Sequence, residues 1–491
     1  MQSQNEAEMS WIGQRVVHYL RRSAHSSRSC ALLVAGLLAG AGPAWGEPRA
    51  PRVPTDATLS VLIQQSLAAR PELSRAEATV RANQERAPQV RALPDPMLQV
   101  GIQNDGFSSI EIGRMGTSYV SVMASQTFPW PGKLELQAHF AELSVLEARN
   151  GLARARLSTE ADVRRAYLAL LLARDRLALL DQVSSVWQSA LAIARVQYQS
   201  GTGSQSDLFR AELALLRLKQ RRIALFADET SRVQALNRLR NHPLNEPIAT
   251  IQHLQELPPL DSQRSAFSAE RALARSPELG SARLGIARAS KSAAIAELSY
   301  YPDLTLGAGV MFRGQLPPMW QVTVAGPVPI FSGAKRNGAV TESRAWGSAA
   351  ERQVAELEQL LRLRSKERET AFAAVSESVA VYQQGLLLES KASAESALIQ
   401  YRVGKLPFAA VLEANASYLA DQESVLDAIA TAHGILIAEA EISLAPTAMP
   451  SVGDVPAGMP GAAATAMRGA SESSAAGDSS PTAPGGAPSG M

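Results

Sequence analysis

The sequence is poor in cysteine, aromatic residues, excess charge and long apolar runs, and each shortage excludes a class of protein. The single cysteine, Cys30, leaves no disulfide framework and no cysteine metal cluster to explain. A net charge of only +2 argues against an electrostatic nucleic-acid binder. Aromatic residues make up 5% of the chain, which suits long helices packed through small side chains rather than a thick globular core. The longest apolar run, 31–42, is too short to cross a bilayer as a helix.

Residues 1–46 have the layout of a secretory signal peptide. Four basic residues precede the apolar run: Arg15, Arg21, Arg22 and Arg28. Small residues after the run offer cleavage sites behind Ala44 or Gly46. Cys30 lies before the run, whereas an acylated cysteine would lie just after it. We therefore expect an exported chain without a lipid anchor.

Beyond this segment, one pattern occurs twice at an offset of about 200 residues. The matching segments are Ala69–Leu73 with Ala274–Leu279, Pro94-Asp95 with Pro302-Asp303, Pro129–Lys133 with Pro329–Lys335, and Gln197–Gly201 with Gln400–Gly404. The period is too long for a solenoid and predicts two fused copies of one elongated unit. We assign the first repeat to 47–240, a proline-rich linker to 241–264 and the second repeat to 265–445. Residues 446–491, rich in Ala, Gly, Pro and Ser, are predicted to be a disordered tail.

Each repeat is predicted to contain a first helix, two strands, a long helix and a returning helix. The first helices cover about 57–90 and 265–298, and the long helices cover 133–200 and 335–402. At about 1.5 Å per residue, each long helix reaches about 100 Å. Heptad positions favour coiled-coil packing; they are Leu172, Leu179, Val186 and Ile193 in one copy, and Val375, Val379, Tyr382 and Leu386 in the other.

The four strands alternate apolar with small or polar residues, as in Leu98-Gln99-Val100-Gly101-Ile102. Such strands of about ten residues are the units of transmembrane β-barrels, although amphipathic hairpins on a soluble core would have the same pattern. Four strands cannot close a barrel without leaving unpaired backbone groups in lipid. Two chains would form a filled eight-stranded barrel, and three would form twelve strands with a lumen. We expect several copies to share a mainly helical fold with a small transmembrane β part.

The duplicated Tyr-x-x-Gly turns and the strand-ending segment Gln126–Lys133 resemble the TolC family of outer-membrane efflux factors. The resemblance covers about 57–444. It implies a homotrimer in outer-membrane lipid, with a twelve-stranded barrel continued by a long α-helical barrel in the periplasm. It also implies a periplasmic adaptor and an inner-membrane pump as partners. Pro94–Met97 together with Phe128–Lys133 is most similar to the heavy-metal branch of resistance–nodulation–division systems.

The resemblance implies two sites at the tips of the helical hairpins. The turn residues Gly201, Thr202, Gly203, Val403, Gly404 and Lys405 match adaptor contacts, and the glycines also serve simply to reverse the chain. Tyr198, Asp207 and Tyr401 match a closed periplasmic gate, with Glu413 as the nearest carboxylate to Ala410, where relatives carry an acid. An acidic ring would favour cations. Asp207 could equally oppose a helix dipole.

Met97, Met123, Met311 and Met319 share the polar phase of the four strands, which predicts that they face the lumen. Thioethers bind Cu(I) or Ag(I), although methionine is also an ordinary gap-filler. His139, His242, His253 and His433 have no metal-ligand spacing. Because no catalytic motif occurs, we predict neither an enzyme nor a bound cofactor.

The leading interpretation is a passive exit duct for heavy-metal cations in a tripartite efflux system. A multidrug efflux or type I secretion duct would use the same fold. A periplasmic coiled-coil adaptor or tether, without a pore, is the alternative from another class; the two hairpins and two strand pairs argue against it.

Overall fold

The computed structural model describes residues 57–447, apart from 251–252, 258–259, 261–265 and 329–332. The predicted signal peptide with Cys30, nearly all of the predicted tail, and part of the repeated segment Pro329–Lys335 lie outside the described residues. The first half contains α1 (Ala57–Ala69), α2 (Pro71–Arg91), β1 (Met97–Gln103), β2 (Tyr119–Phe128), α3 (Lys133–Gln199) and α4 (Gln205–Leu239).

The second half repeats this order. A 3₁₀ turn (Leu254–Glu256) precedes the elements, which are α5 (Ala269–Arg275), α6 (Pro277–Leu298), β3 (Leu304–Arg313), β4 (Leu316–Ala325), α7 (Gly333–Val381), a π-turn (Tyr382–Leu386), α8 (Leu387–Arg402) and α9 (Phe408–Glu441). The chain is thus mainly helical, with two structural repeats. Among the described residues, no helix is both long and apolar enough to cross a membrane.

Each predicted first helix is in fact two helices, which corrects the single spans expected over 57–90 and 265–298. The break falls at the same place in both copies, before Pro71 and before Pro277. Arg70 and Ser276 adopt extended backbone (ψ 122° and 117°), because the proline ring disfavours helical conformation in the preceding residue. The prolines then fit the first helical turn, where no amide hydrogen is needed.

One antiparallel sheet contains all four strands, in the order β1-β2-β3-β4. The two halves of the chain meet at its centre, where Phe128 of β2 pairs with Leu304 of β3. β1 and β4 are the edge strands. The sheet therefore ends on both sides in strands whose outer backbone groups have no strand partner within the described part of the chain.

Five helices, α3, α4, α7, α8 and α9, pack side by side in one layer. α4 packs on α3, α9 packs on α3, and α7 and α8 pack on α9. The main core contains buried side chains of α1, α3 and α9 with the 3₁₀ turn; they include Leu59, Leu170, Leu171, Leu180, Leu254 and Ile437. α4 and the α7–α8 pair are left as the outer helices of this layer.

Candidate functional site

The two hairpin turns lie together at one end of the helical layer. Gly201 and Gly404 adopt left-handed backbone (φ 74° and 72°), which lets each helix end and the chain reverse. Gln197 joins the turns: its side-chain Nε2 donates to the Tyr401 carbonyl at 3.0 Å. Its own carbonyl accepts from the amides of Thr202 (2.9 Å) and Gly203 (2.8 Å). We refer to Gly201–Gly203 together with Val403–Lys405 as the tip.

The tip presents a surface to solvent. Its residues are exposed except for Gly203, which is half-buried, and Val403 exposes 61% of its surface. A β-carbon built on Gly201 or Gly404 would meet nothing within 4 Å, so these glycines are required by backbone conformation alone. Exposed residues on a fixed turn are suited to contact another protein.

Tyr401 lies buried behind the tip, with 3% of its surface exposed. Its ring meets Phe408 edge-on, with ring centroids 5.2 Å apart, and packs in a cluster of small side chains from α3, α4 and α8. Burial raises the pKa of the Tyr401 phenol, and the negative charge of Asp207 raises it further. The hydroxyl is buried with no hydrogen-bond partner in the described part of the chain.

Asp207 occupies the first turn of α4, where Ser204 caps the helix by accepting from the Ser206 amide. This position suits a carboxylate opposing the helix dipole. Arg210 lies one turn on, with Nη1 3.8 Å from the Asp207 carboxylate. The charge of Asp207 also raises the pKa of the Tyr401 phenol, so the two side chains interact electrostatically.

The other two predicted gate residues lie outside this buried cluster. Tyr198 is 43% exposed on the last turn of α3. Glu413 is exposed on α9, where it lines a groove shared with Arg210 and Arg217 of α4. Of the four residues expected at one gate, Tyr401 is buried, Asp207 is half-buried, and Tyr198 and Glu413 are exposed.

The groove between α4 and α9 was not found from the sequence. Its floor is apolar and small, with Leu213, Ala214, Leu218, Leu412, Ala416, Leu419 and Ala420. Two polar atoms on its lining are buried without a partner among the described residues, Trp187 Nε1 and Glu423 Oε1. A buried indole N–H and a buried carboxylate oxygen without hydrogen bonds favour binding of another molecule that offers an acceptor to the first and a donor to the second.

The sheet has one apolar and one polar face. Even-numbered residues form the apolar face, which is broadly exposed; examples are Leu98 (72%), Ile102 (73%), Trp320 (80%), Val322 (65%) and Val324 (68%). Odd-numbered residues form the polar face, on which Ser121, Thr305, Gln321 and Thr323 are half-buried, whereas Gln99 of the edge strand β1 is exposed. Large apolar side chains outnumber polar ones on the more exposed face, the reverse of a sheet packed on a soluble core.

The four predicted methionines lie on the polar face. Met311 pairs directly with Met319, and Ser121 pairs with Met311. Paired residues across the strands form rows, and successive rows on one face are two residues apart along each strand. Met123 lies in the next row, opposite Gly309, and Met97 lies in the row after that, opposite Ser125. Successive rows are about 7 Å apart. The methionines thus form a diagonal across the sheet. Within the described residues, no group of three His, Cys, Asp or Glu side chains is placed to hold a metal ion.

The two repeats are also joined by polar contacts at the base of the sheet. Lys133 Nζ lies 2.6 Å from Asp303, whose other oxygen accepts from the Trp130 amide at 3.0 Å. The rings of Trp130 and Tyr301 stack beside this pair, with centroids 4.7 Å apart. The end of β2 is thereby fixed to the start of β3.

Comparison with known proteins assigns the class that this geometry indicates. The model of the outer membrane efflux protein family matches residues 62–242 and 269–438. The chain therefore belongs to the outer membrane efflux protein family, whose members are channels, not enzymes, and work with an adaptor and an inner-membrane pump. No curated protein matches the chain.

Solved structures share the fold at low sequence identity. The outer-membrane channel OprN has a TM-score of 0.66 and 18% identity, covering 85% of this chain and 98% of its own. CusC has a TM-score of 0.66 and 17% identity, covering 79% and 93%. The outer membrane protein VceC from Vibrio cholerae has a TM-score of 0.64 and 17% identity, covering 79% and 96%. The predicted combination of a helical barrel and a β-barrel part is thereby confirmed.

Proposed function

We propose that this protein is the outer-membrane exit duct of a tripartite efflux system, acting as a homotrimer. Three chains pool their strands into a twelve-stranded barrel, and their helices continue it as a tube in the periplasm. The chain reaches this location through its signal peptide, without lipidation. One observation carries the proposal: the sheet combines an exposed apolar face with two edge strands whose outer sides have no strand partner in the part of the chain that the structure describes.

The exposed apolar face requires a lipid environment, and the unpaired edge strands require that the sheet be closed into a barrel. In water the exposed apolar side chains would lose the gain of burial, about 25 cal/mol for each Å². In lipid they are favourable, but each unpaired backbone group at an edge costs several kcal/mol. Only a closed ring of strands meets both conditions, and three copies give a lumen as well as closure.

The outer helices of the layer support the same assembly. α4 exposes Phe209 (57%), Ile223 (66%) and Phe226 (59%). At the opposite edge, α8 exposes Leu388 (65%) and Ile399 (63%). Because α4 of one copy and α8 of the next would become neighbours in a ring, these faces can cover each other and close the helical tube.

The tip is where we place adaptor docking and the gate. The exposed turns offer backbone and small side chains to a partner. The groove between α4 and α9 adds an apolar floor with an unpaired donor and acceptor. Tyr401 and Asp207, just behind, couple the turns to the helices. An adaptor that separates the two turns would disturb the interaction between Tyr401 and Asp207.

Heavy-metal cations are the substrate class that we favour. The methionine diagonal supports them, because soft thioether ligands in successive rows would pass a Cu(I) or Ag(I) ion along the lumen wall. Multidrug efflux and type I secretion use the same fold and remain the alternatives.

Single-channel conductance in planar bilayers, together with the mass of the detergent-solubilised protein, tests the duct. A trimer mass with small, cation-selective openings is expected. A non-inserting monomer or dimer without conductance would overturn the proposal and favour a periplasmic tether, which cell fractionation would locate outside the outer membrane.

Two neighbouring variants make the test specific. Val322→Arg places a charge on the apolar face and should cost about 2–4 kcal/mol in the bilayer, so insertion should fall. Thr323→Arg places the same charge on the polar face and should insert normally while lowering cation conductance. Equal insertion of both variants would refute the assignment of the faces.

A further inference from the structure

The contact between Lys133 and Asp303 joins two different repeats. Lys133 follows β2 of the first repeat, and Asp303 precedes β3 of the second. Their counterparts in the other repeat are Lys335 and Asp95. Lys335 follows β4, two residues later than an offset of 200 from Lys133, and Asp95 precedes β1. Every residue type needed for the contact is therefore present a second time in the chain.

The second pair does not form within the chain. Asp95 and Lys335 are both exposed, and neither side chain has an ion pair or a hydrogen bond with a described residue. Asp95 lies just before the edge strand β1, and Lys335 lies in the first turn of α7, which follows the other edge strand, β4. The residues of this second pair are present but lie apart within one chain, so a second copy of the chain could bring them together.

We propose that Asp95 of one copy pairs with Lys335 of the next, and that this pair sets the register in which β4 meets the neighbouring β1. The inference rests on the proposed oligomeric duct. In a ring, the junction between copies repeats the junction within a chain, so the same chemistry recurs at both. The opposite charges beside β1 and β4 also favour pairing of β4 with a neighbour's β1 over pairing of two β1 strands or two β4 strands.

The repeat specifies the register. Positions in β2 advance by 200 to reach β4, as Pro129 does to Pro329, and positions in β3 fall by 208 to reach β1, as Asp303 does to Asp95. The pairing of Ser121 with Met311 therefore becomes the pairing of Gln321 with Gln103 of the next copy.

Side-chain chemistry agrees with this register. It places Val322 (65% exposed) opposite Ile102 (73%), and Val324 (68%) opposite Val100 (65%) of the neighbour. The apolar face then continues without interruption from one copy to the next. A slip of one residue would place apolar side chains opposite polar ones across the junction.

Cysteine crosslinking tests the register in the full chain carrying Cys30→Ser. Gln321→Cys with Gln103→Cys should form a disulfide between copies under diamide, and non-reducing gels should show covalent oligomers. Directly opposed positions are close enough for a disulfide. Ser121→Cys with Met311→Cys, the same position within one chain, should crosslink without any increase in mass. Thr323→Cys with Gln103→Cys, two residues out of register, should crosslink poorly.

Charge reversal tests the ion pair separately. Asp95→Lys and Lys335→Asp should each weaken the oligomer, measured as a lower temperature of dissociation in detergent, and the double variant should recover at least half of the loss. A trimer in which the slipped pair crosslinks, or in which the double variant recovers nothing, would overturn this inference and leave the duct standing. A protein that is not an oligomer would overturn the duct itself.

Discussion

His253 and Asp175 join the segment after the first repeat to the long helix α3. The Nδ1 of His253 lies 2.5 Å from one oxygen of the largely buried Asp175 carboxylate, and the other oxygen accepts from the Leu254 amide at 2.8 Å. The hydrogen bond to Asp175, then its negative charge, raises the pKa of His253 above 6.5, with a smaller contribution from Glu256. The contact therefore depends on pH.

We predict that this contact stabilises the protein at low pH and is lost as pH rises. The folded pKa lies above the unfolded one, so the stabilisation is complete below about pH 6.5 and disappears as pH passes through the raised pKa. The thermal midpoint of the wild type should exceed that of His253→Gln at about pH 6, and the two should converge at about pH 9. In a chain that carries Asp175→Asn, the further change His253→Gln should no longer alter the thermal midpoint at low pH. A constant gap at all pH values would contradict the assignment.

The glycines of the first tip turn should differ in their tolerance of alanine. Gly201→Ala incurs only the cost of left-handed backbone, about 1–2 kcal/mol, since its β-carbon would meet nothing. Gly203→Ala places a β-carbon 2.8 Å from Cβ of Gln197 and 3.0 Å from its backbone. It should therefore be the more damaging, although the backbone of Gly203 is not left-handed. Hydrogen exchange of the turn amides would measure how far each variant destabilises the turn, with Gly404→Ala as the matched control for Gly201→Ala.

Tyr401 should contribute to the fold through its ring and to the gate through its hydroxyl. Removing the unpaired hydroxyl in Tyr401→Phe should change unfolding free energy by no more than about 1 kcal/mol. Tyr401→Ala should cost about 3–5 kcal/mol, because it removes the packing on Phe408. If Tyr401 and Asp207 hold the gate, Tyr401→Phe and Asp207→Asn should raise conductance in bilayers. Asp207→Asn should also lower cation selectivity more than Glu413→Gln. Unchanged conductance in both would remove the pair from the gate.

The methionine diagonal gives a prediction about cargo. Replacing Met97, Met123, Met311 and Met319 with leucine preserves volume and should leave insertion unchanged. Growth of cells that depend on this protein should become more sensitive to Ag(I) or Cu(II) salts, with no change in sensitivity to organic drugs. Ala124→Leu with Ala308→Leu, on the opposite face of the same sheet, is the control for added leucine and should leave metal tolerance as it is. Unaltered metal tolerance in the methionine variant would end the methionine hypothesis.

The long elements could be predicted from the sequence because their patterns extend over many residues. The sequence predicts the first long helix over 133–200, and the structure has it over Lys133–Gln199. The repeated turns at Gly201 and Gly404 are required by local backbone conformation, which glycine reveals. The polar and apolar phases of the strands follow from alternation alone, and the observed pairing keeps them on separate faces.

Features that depend on packing could not be predicted in this way. The heptad interpretation places Val379 and Leu386 on one face, yet Val379 is 5% exposed and Leu386 is 38% exposed. The π-turn Tyr382–Leu386 inserts an extra residue in the helical repeat and rotates α8 relative to α7 about the helix axis. Likewise, the burial of Tyr401 and the unpaired atoms of Trp187 and Glu423 arise from contacts between distant helices.

A buried ion pair near the C-terminal end of α9 gives a final prediction. Arg368 and Glu439 are 1% and 4% exposed at their side chains, and Arg368 Nη1 lies 3.2 Å from the Glu439 carboxylate. Burial lowers the pKa of Arg368, although its bond with Glu439 opposes this shift. Glu439→Gln leaves a buried cation without its counter-charge and should cost about 3–5 kcal/mol of unfolding free energy. Arg368→Met with Glu439→Gln removes both charges and should recover much of that loss, since an apolar replacement avoids desolvation. Denaturant unfolding of the wild type, the two single variants and the double variant measures the coupling, and strictly additive losses would show that the two side chains act independently.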